Sequence, residues 1–150
     1  MRDRFGREID YMRISVIDSC NLNCYYCNPQ DNNKNCQAIN TLSVQKVLCI
    51  VSAATRLGIT HFRLTGGEPR LHPQIDEMVS QIKKIPGVRS VSLTTNAVLL
   101  AQHAKQLKEA GIDSINVSLD TIDASEYEYI TKKPLLHIVE HGIDAAIECG

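Results

Sequence analysis

Two alternating periods constrain folding most strongly in this sequence. Four short runs repeat apolar and polar residues every two positions, and each is followed by apolar residues at helical spacing. The pattern predicts strands over Tyr11–Ile17, His61–Thr65, Ser90–Thr94 and Ser114–Leu119. Helices are predicted over Ser43–Leu57, from near Pro73 to Pro86-Gly87, over about Leu100–Ala110 and over about Leu135–Cys149. Gly58, Pro86-Gly87 and Gly111 stand where helices stop, and Pro73 suits a first helical turn. Four βα units in succession imply a parallel sheet with helical crossovers. Between the first strand and its helix, Pro29–Asn40 is polar and rich in turn formers, and reads as a long loop.

Neighbouring strand residues point to opposite faces. Met12, Ile14 and Val16 oppose Arg13 and Ser15; Phe62 and Leu64 oppose His61, Arg63 and Thr65. Val91 and Leu93 oppose Ser90, Ser92 and Thr94; Ile115, Val117 and Leu119 oppose Asn116, Ser118 and Asp120. Parallel strands covered on both faces usually read as unbroken apolar runs. If the apolar faces meet the helices, the polar faces line a concave interior. A complete (β/α)8 barrel fills that space with branched side chains. The expectation is therefore an α/β fold, an incomplete (β/α) TIM-type barrel of about four parallel βα units with a wet interior. The plainer alternative is four amphipathic strands with solvent on one side. Arg13 and Arg63 would both point inward, where an unpaired charge is costly, so they call for an anionic partner. Guanidinium groups suit phosphate or a purine edge.

Composition excludes other classes. The 150 residues suit one domain or one piece of a larger one, and the net charge of −1 comes without a polybasic tail for nucleic acid or membrane. The apolar runs are all too short to span a bilayer. The opening MRDRFGREID has no apolar core after its charges, unlike a secretion signal, so a cytoplasmic, reducing compartment is expected. Six cysteines in that setting suggest metal or catalysis before disulfides.

Three of them, Cys20, Cys24 and Cys27, form C-x3-C-x2-C directly after the first strand. Three clustered thiolates suit three irons of a [4Fe–4S] cluster, leaving the fourth iron open to a substrate or cofactor. A structural zinc site or buried free thiols are the alternatives, but zinc normally takes four ligands and the sequence has no second CxxC pair. Cys49 and Cys149 fall in helical runs and read as small core residues; Cys36, in the polar loop, is left unassigned. Gly66-Gly67-Glu68-Pro69 follows the second strand. Its glycines would let backbone approach a ligand closely, and Glu68 or its carbonyl could accept from an ammonium group. Thr94-Thr95-Asn96 and Ser118-Leu119-Asp120 close the third and fourth strands. All four motifs share the rim on which barrels of this kind place their sites.

With these motifs the chain resembles the radical S-adenosylmethionine (SAM) superfamily. The runs Phe5–Cys27, Phe62–Pro69, Leu93–Leu100 and Ile115–Asp123, with the tail HGIDAAIECG, resemble its GTP 3′,8-cyclase family, of molybdenum cofactor (molybdopterin) biosynthesis. The resemblance implies the following. Residues 1–150 are the N-terminal part of a radical SAM core, and the cofactors are a [4Fe–4S] cluster on Cys20, Cys24 and Cys27 and S-adenosyl-L-methionine. Reductive cleavage of SAM gives a 5′-deoxyadenosyl radical that takes hydrogen from C3′ of GTP, and the new carbon radical attacks C8, a lyase-type cyclisation. Tyr26, Gly66, Gly67, Glu68 and Ser118 would bind SAM; Arg13, Arg63 and Thr94 would bind GTP. Partners would be an electron donor such as a flavodoxin or ferredoxin, and a second copy or a complementing C-terminal half. The family's second half supplies further strands, more basic GTP ligands and a second cluster, so this polypeptide alone is expected not to make the cyclised product. The chain departs from the family pattern at Ser19, Asn28, His61 and Arg70–Pro73. A radical SAM enzyme acting on a peptide or another small molecule, or an inactive cluster-binding remnant, are the other readings.

Overall fold

The apolar half of each alternation holds the strands in place. In the structure, a computed structural model that describes residues 2, 4–27 and 40–150, strands β1 (Tyr11–Ser15), β2 (His61–Thr65), β3 (Ser90–Thr95) and β4 (Ser114–Val117) pair in parallel in that order. The register matches like with like. Ile14 lies opposite Leu64, Leu64 opposite Leu93 and Leu93 opposite Ile115, whereas Arg13 lies opposite Arg63 and Arg63 opposite Ser92. A slip of one residue would exchange the two sets across the sheet, so burial of one face fixes the register.

Helices α1 (Val44–Arg56), α2 (Ile75–Lys83), α3 (Leu100–Ala110), α4 (Ala124–Thr131) and α5 (Leu136–Cys149) connect and follow the strands. Val47, Val51, Met78, Val79, Ile82, Leu100, Leu107 and Val139 form one core with Phe62, Leu64, Val91 and Leu93, and every one of these is 0% exposed. The helices therefore cover the apolar face. Arg13, Asn116 and Ser118 on the other face are exposed, and Arg63 and Thr94 are half-buried. This is the expected partial barrel of four βα units. Beside the free edge of β4, Ile115, Val117, Ala104, Ile143 and Ala146 line an apolar groove of about 260 Å³.

Several boundaries differ from expectation. Strand β1 stops at Ser15 because Ile17 turns away to bridge Thr41, although the Val16 N–H still donates to the Thr65 carbonyl at 2.8 Å. Helix α2 begins at Ile75, after a 3-10 turn over Pro69–Leu71. Helix α4 was not predicted. It buries only Tyr127 and Thr131, too few for a visible apolar stripe, but Asp123 accepts from the Glu126 N–H at 2.8 Å in a normal N-cap. Cys49 and Cys149 are exposed and not core residues. The buried stripe of α1 is Val44, Val47, Val51 and Ala54, and Cys49 sits off that stripe, two residues from both Val47 and Val51. Asn28, Cys36 and positions 29–39 of the loop expected over Pro29–Asn40 lie outside the described residues.

Candidate functional site

The carboxyl ends of the four strands bring the four motifs together. Residues 16–18 leave β1 and are clamped by the returning chain. The Leu42 N–H donates to the Val16 carbonyl at 2.9 Å, and the Asn40 backbone and side-chain amides both donate to the Asp18 carboxylate. The Gly67 N–H then donates to the Ile17 carbonyl and the Glu68 N–H to the Ser19 carbonyl, both at 2.8 Å. Both glycines are required for this approach. A Cβ on Gly66 would lie 2.3 Å from the Ile17 oxygen, and one on Gly67 would lie 2.0 Å from the Ser19 oxygen. The close approach expected of these glycines is thus made to the chain's own backbone at the root of the cysteine loop.

Glu68 has internal partners at the root of the loop. Its side chain is 1% exposed and turns inward, accepting from the Arg70 N–H at 3.0 Å, the Thr95 hydroxyl at 2.8 Å and the Asn96 N–H at 2.8 Å. Three internal donors make this carboxylate a tie between the ends of β2 and β3. Burial pushes its pKa up, opposed by those same donors and by Arg70.

The cysteine loop is held from two sides. From α4, the Ile130 and Thr131 carbonyls accept from the Tyr25 and Asn23 N–H groups at 3.1 and 3.2 Å. These are carbonyls of the last helical turn, which need outside donors. From β3, the Asn96 side-chain amide donates to Asn21 Oδ1 at 2.7 Å and to Cys20 Sγ at 3.7 Å. The Tyr26 hydroxyl donates to Asp120 at 2.7 Å, and that bond to a carboxylate, then burial, pushes the phenol's pKa well up. Sequence reasoning marked the strand-end runs holding Asn96 and Asp120 but gave neither residue a role.

Cys20 and Cys27 are exposed and Cys24 is half-buried. Burial raises the Cys20 and Cys24 thiols. The neighbouring thiols and a carboxylate, Glu68 for Cys20 and Asp120 for Cys24, raise them further, while the Leu22 N–H and Asn96 pull Cys20 down. Three thiols that repel one another as anions form a site that wants cationic metal. Among the described residues, no three His, Cys, Asp or Glu side chains converge as ligands of a single ion do. Thiolates that each take a different iron have no need to converge on one point, and this donor set is compatible with a cluster.

On the open face, Arg63 donates from Nε to the Ser92 hydroxyl at 3.1 Å and stacks over the Tyr11 ring at 5.5 Å. Arg13 is exposed beside it. The Thr94 hydroxyl is buried without a hydrogen-bond partner among the described residues. Ser118 is exposed, its N–H donating to the Thr95 carbonyl at 2.9 Å.

Comparison with known proteins places this architecture. Two solved structures share the fold. One is a maturase of the [FeFe]-hydrogenase, HydG, with a TM-score of 0.76 and 22% identity over 93% of this chain and 32% of the other. The second is methylornithine synthase, PylB, with a TM-score of 0.70 and 16% identity over 93% of this chain and 42% of the other. Residues 14–150 match the model of the radical SAM superfamily, and the chain belongs to that superfamily. Its members use a [4Fe–4S] cluster and SAM. Within it, the chain is 44% identical over its whole length to a GTP 3′,8-cyclase of Thermodesulfovibrio yellowstonii, of which it covers 47%. A GTP 3′,8-cyclase of Pelotomaculum thermopropionicum is 42% identical, with 46% of its length covered. The human molybdenum cofactor biosynthesis protein 1 is 38% identical, with 24% covered. The chain thus spans about half the length of these cyclases. Among the described residues no helix is long and apolar enough to cross a membrane.

Proposed function

We propose that residues 1–150 are the SAM-cleaving half of a GTP 3′,8-cyclase, a cytoplasmic enzyme of molybdenum cofactor biosynthesis. The observation that carries this reading is the identity to cyclases along the whole chain, on a sheet whose rim gathers Cys20, Cys24 and Cys27. The three thiolates would hold the cluster. When bound, the cluster and SAM supply a carbon-centred radical through one-electron reduction. The chain's own residues bind and orient. Tyr26 within the loop, Ser118 after β4, the backbone of Gly66 and Gly67, and Glu68 would hold SAM. Arg13, Arg63 and Thr94 would receive GTP, the two guanidiniums meeting phosphate or the guanine edge. A small one-electron donor, such as a flavodoxin or ferredoxin, would reduce the cluster. The complementing half, with its second cluster, would complete the GTP site, so this polypeptide alone is expected to cleave SAM without releasing cyclised product.

Calorimetric titration of the reconstituted chain with GTP tests the substrate. Arg13→Ala is expected to weaken binding by at least about tenfold, the loss of one charge-assisted contact of roughly 1.5–3 kcal/mol. GTP affinity unchanged in that variant would remove GTP from this face and favour a peptide or another small molecule.

A further inference from the structure

We propose that Asn96 sets the reduction potential of the cluster by donating a hydrogen bond to the Cys20 sulfur. The inference rests on the reading of Cys20 as a cluster ligand and adds a residue to it. The amide's orientation is fixed independently of the sulfur. Asn96 Oδ1 accepts from the Val98 N–H at 3.1 Å, which leaves Nδ2 facing the loop, where it meets Asn21 Oδ1 at 2.7 Å and Cys20 Sγ at 3.7 Å. The backbone of Asn96 is fixed as well, because its N–H is held by the buried Glu68 carboxylate. The Val98 and Glu68 contacts therefore fix the amide's orientation before the sulfur is considered, independently of Asn21. Cys20 receives a second donor, the Leu22 N–H at 3.5 Å. The reduced cluster carries one more negative charge than the oxidised one, so an N–H aimed at a ligand sulfur stabilises the reduced state more. Hydrogen bonds to the sulfurs are among the determinants of such potentials. Asn96 thus eases the first electron into the cluster, and Glu68 contributes by holding Asn96 in place. Asn96 is a positioning and tuning residue, not a catalytic one.

The test is a redox titration. Wild-type chain and the variants N96A, N96D and N21A are reconstituted anaerobically, titrated with dithionite through mediators, and the reduced cluster is counted by electron paramagnetic resonance. All four should hold equal iron and sulfide. N96A should make reduction about tenfold less favourable, a fall of about 59 mV for one electron. N96D keeps the size and the Val98 contact but replaces the donor with an anion, so its midpoint should fall at least as far. N21A removes only the neighbouring acceptor and should stay at the wild-type potential. Unchanged midpoints in both Asn96 variants overturn the proposal. So does an N21A midpoint that falls as far as that of N96A, or iron loss from both Asn96 variants, since either makes Asn96 a loop anchor alone. A wild-type chain that takes up no iron overturns the cluster reading itself, a failure visible before any titration.

Discussion

The two faces of the sheet obey different rules. On the helix side, Phe62, Leu64, Val91 and Leu93 are wholly buried and meet the helices in one continuous core. On the open side, Arg13 and Ser118 are exposed, Arg63 leans on Tyr11 and Ser92, and the buried Thr94 hydroxyl has no partner among the described residues. The first set explains why the chain folds. The second is polar and includes the Thr94 hydroxyl, buried without a partner among the described residues. That polar face is where the proposed function would seat its ligands.

Substitutions that separate chemistry from stability test this contrast. The largest effect belongs to the rim: Cys24→Ser should bring reductive 5′-deoxyadenosine release to background while the thermal midpoint stays near wild type. Release that persists would take Cys24 out of the donor set. On the helix face, Phe62→Ala should leave no specific chemical lesion but lower stability by about 3–5 kcal/mol in urea unfolding. Gly67→Ala crosses the two categories, because its Cβ meets the Ser19 carbonyl at the root of the cysteine loop. It should cost about 1–3 kcal/mol and lower iron uptake in the same preparation. The smallest effect lies away from both faces, at Asp113. It accepts from Lys83 at 2.8 Å and from the Val91 N–H at 2.7 Å. Burial pushes its carboxyl up, but those donors outweigh it and the pKa lies below the ordinary value. A lowered carboxyl pKa stabilises the fold above the unfolded pKa of about 3.9, and that stability is lost as pH falls through the folded value. The side chain is 36% exposed, so Asp113→Asn should cost only about 0.5–1 kcal/mol at neutral pH, and the difference from wild type should vanish in acid. A difference that survives once the folded carboxyl is protonated would assign the cost to something other than charge.

What could be read from the sequence follows the same division. The strands, most helices and the polar face were legible because period-2 and period-3.6 patterns report directly on burial. Helix α4 was hidden because two buried residues make no stripe; its one local signal was the spacing of Asp123 and Glu126. The cysteine motif was legible as chemistry, since thiolate spacing is itself the ligand code. The roles of Glu68 and Asn96 were not. Both residues look outward in the sequence, as a carboxylate and an amide at strand ends. Their contacts lie 28 and 76 positions apart, at Asn96 and Cys20, and only folding brings them together. Cys49 was misread by taking a helical run as apolar throughout, when its stripe passes two positions to either side.

The clasp of the cysteine loop by the Ile130 and Thr131 carbonyls has a consequence for maturation. A nascent chain exposes its three thiols long before residues 130 and 131 leave the ribosome. The clasp closes only after β4 and α4 have docked. A cluster seated before α4 docks would sit in a loop that lacks this clasp.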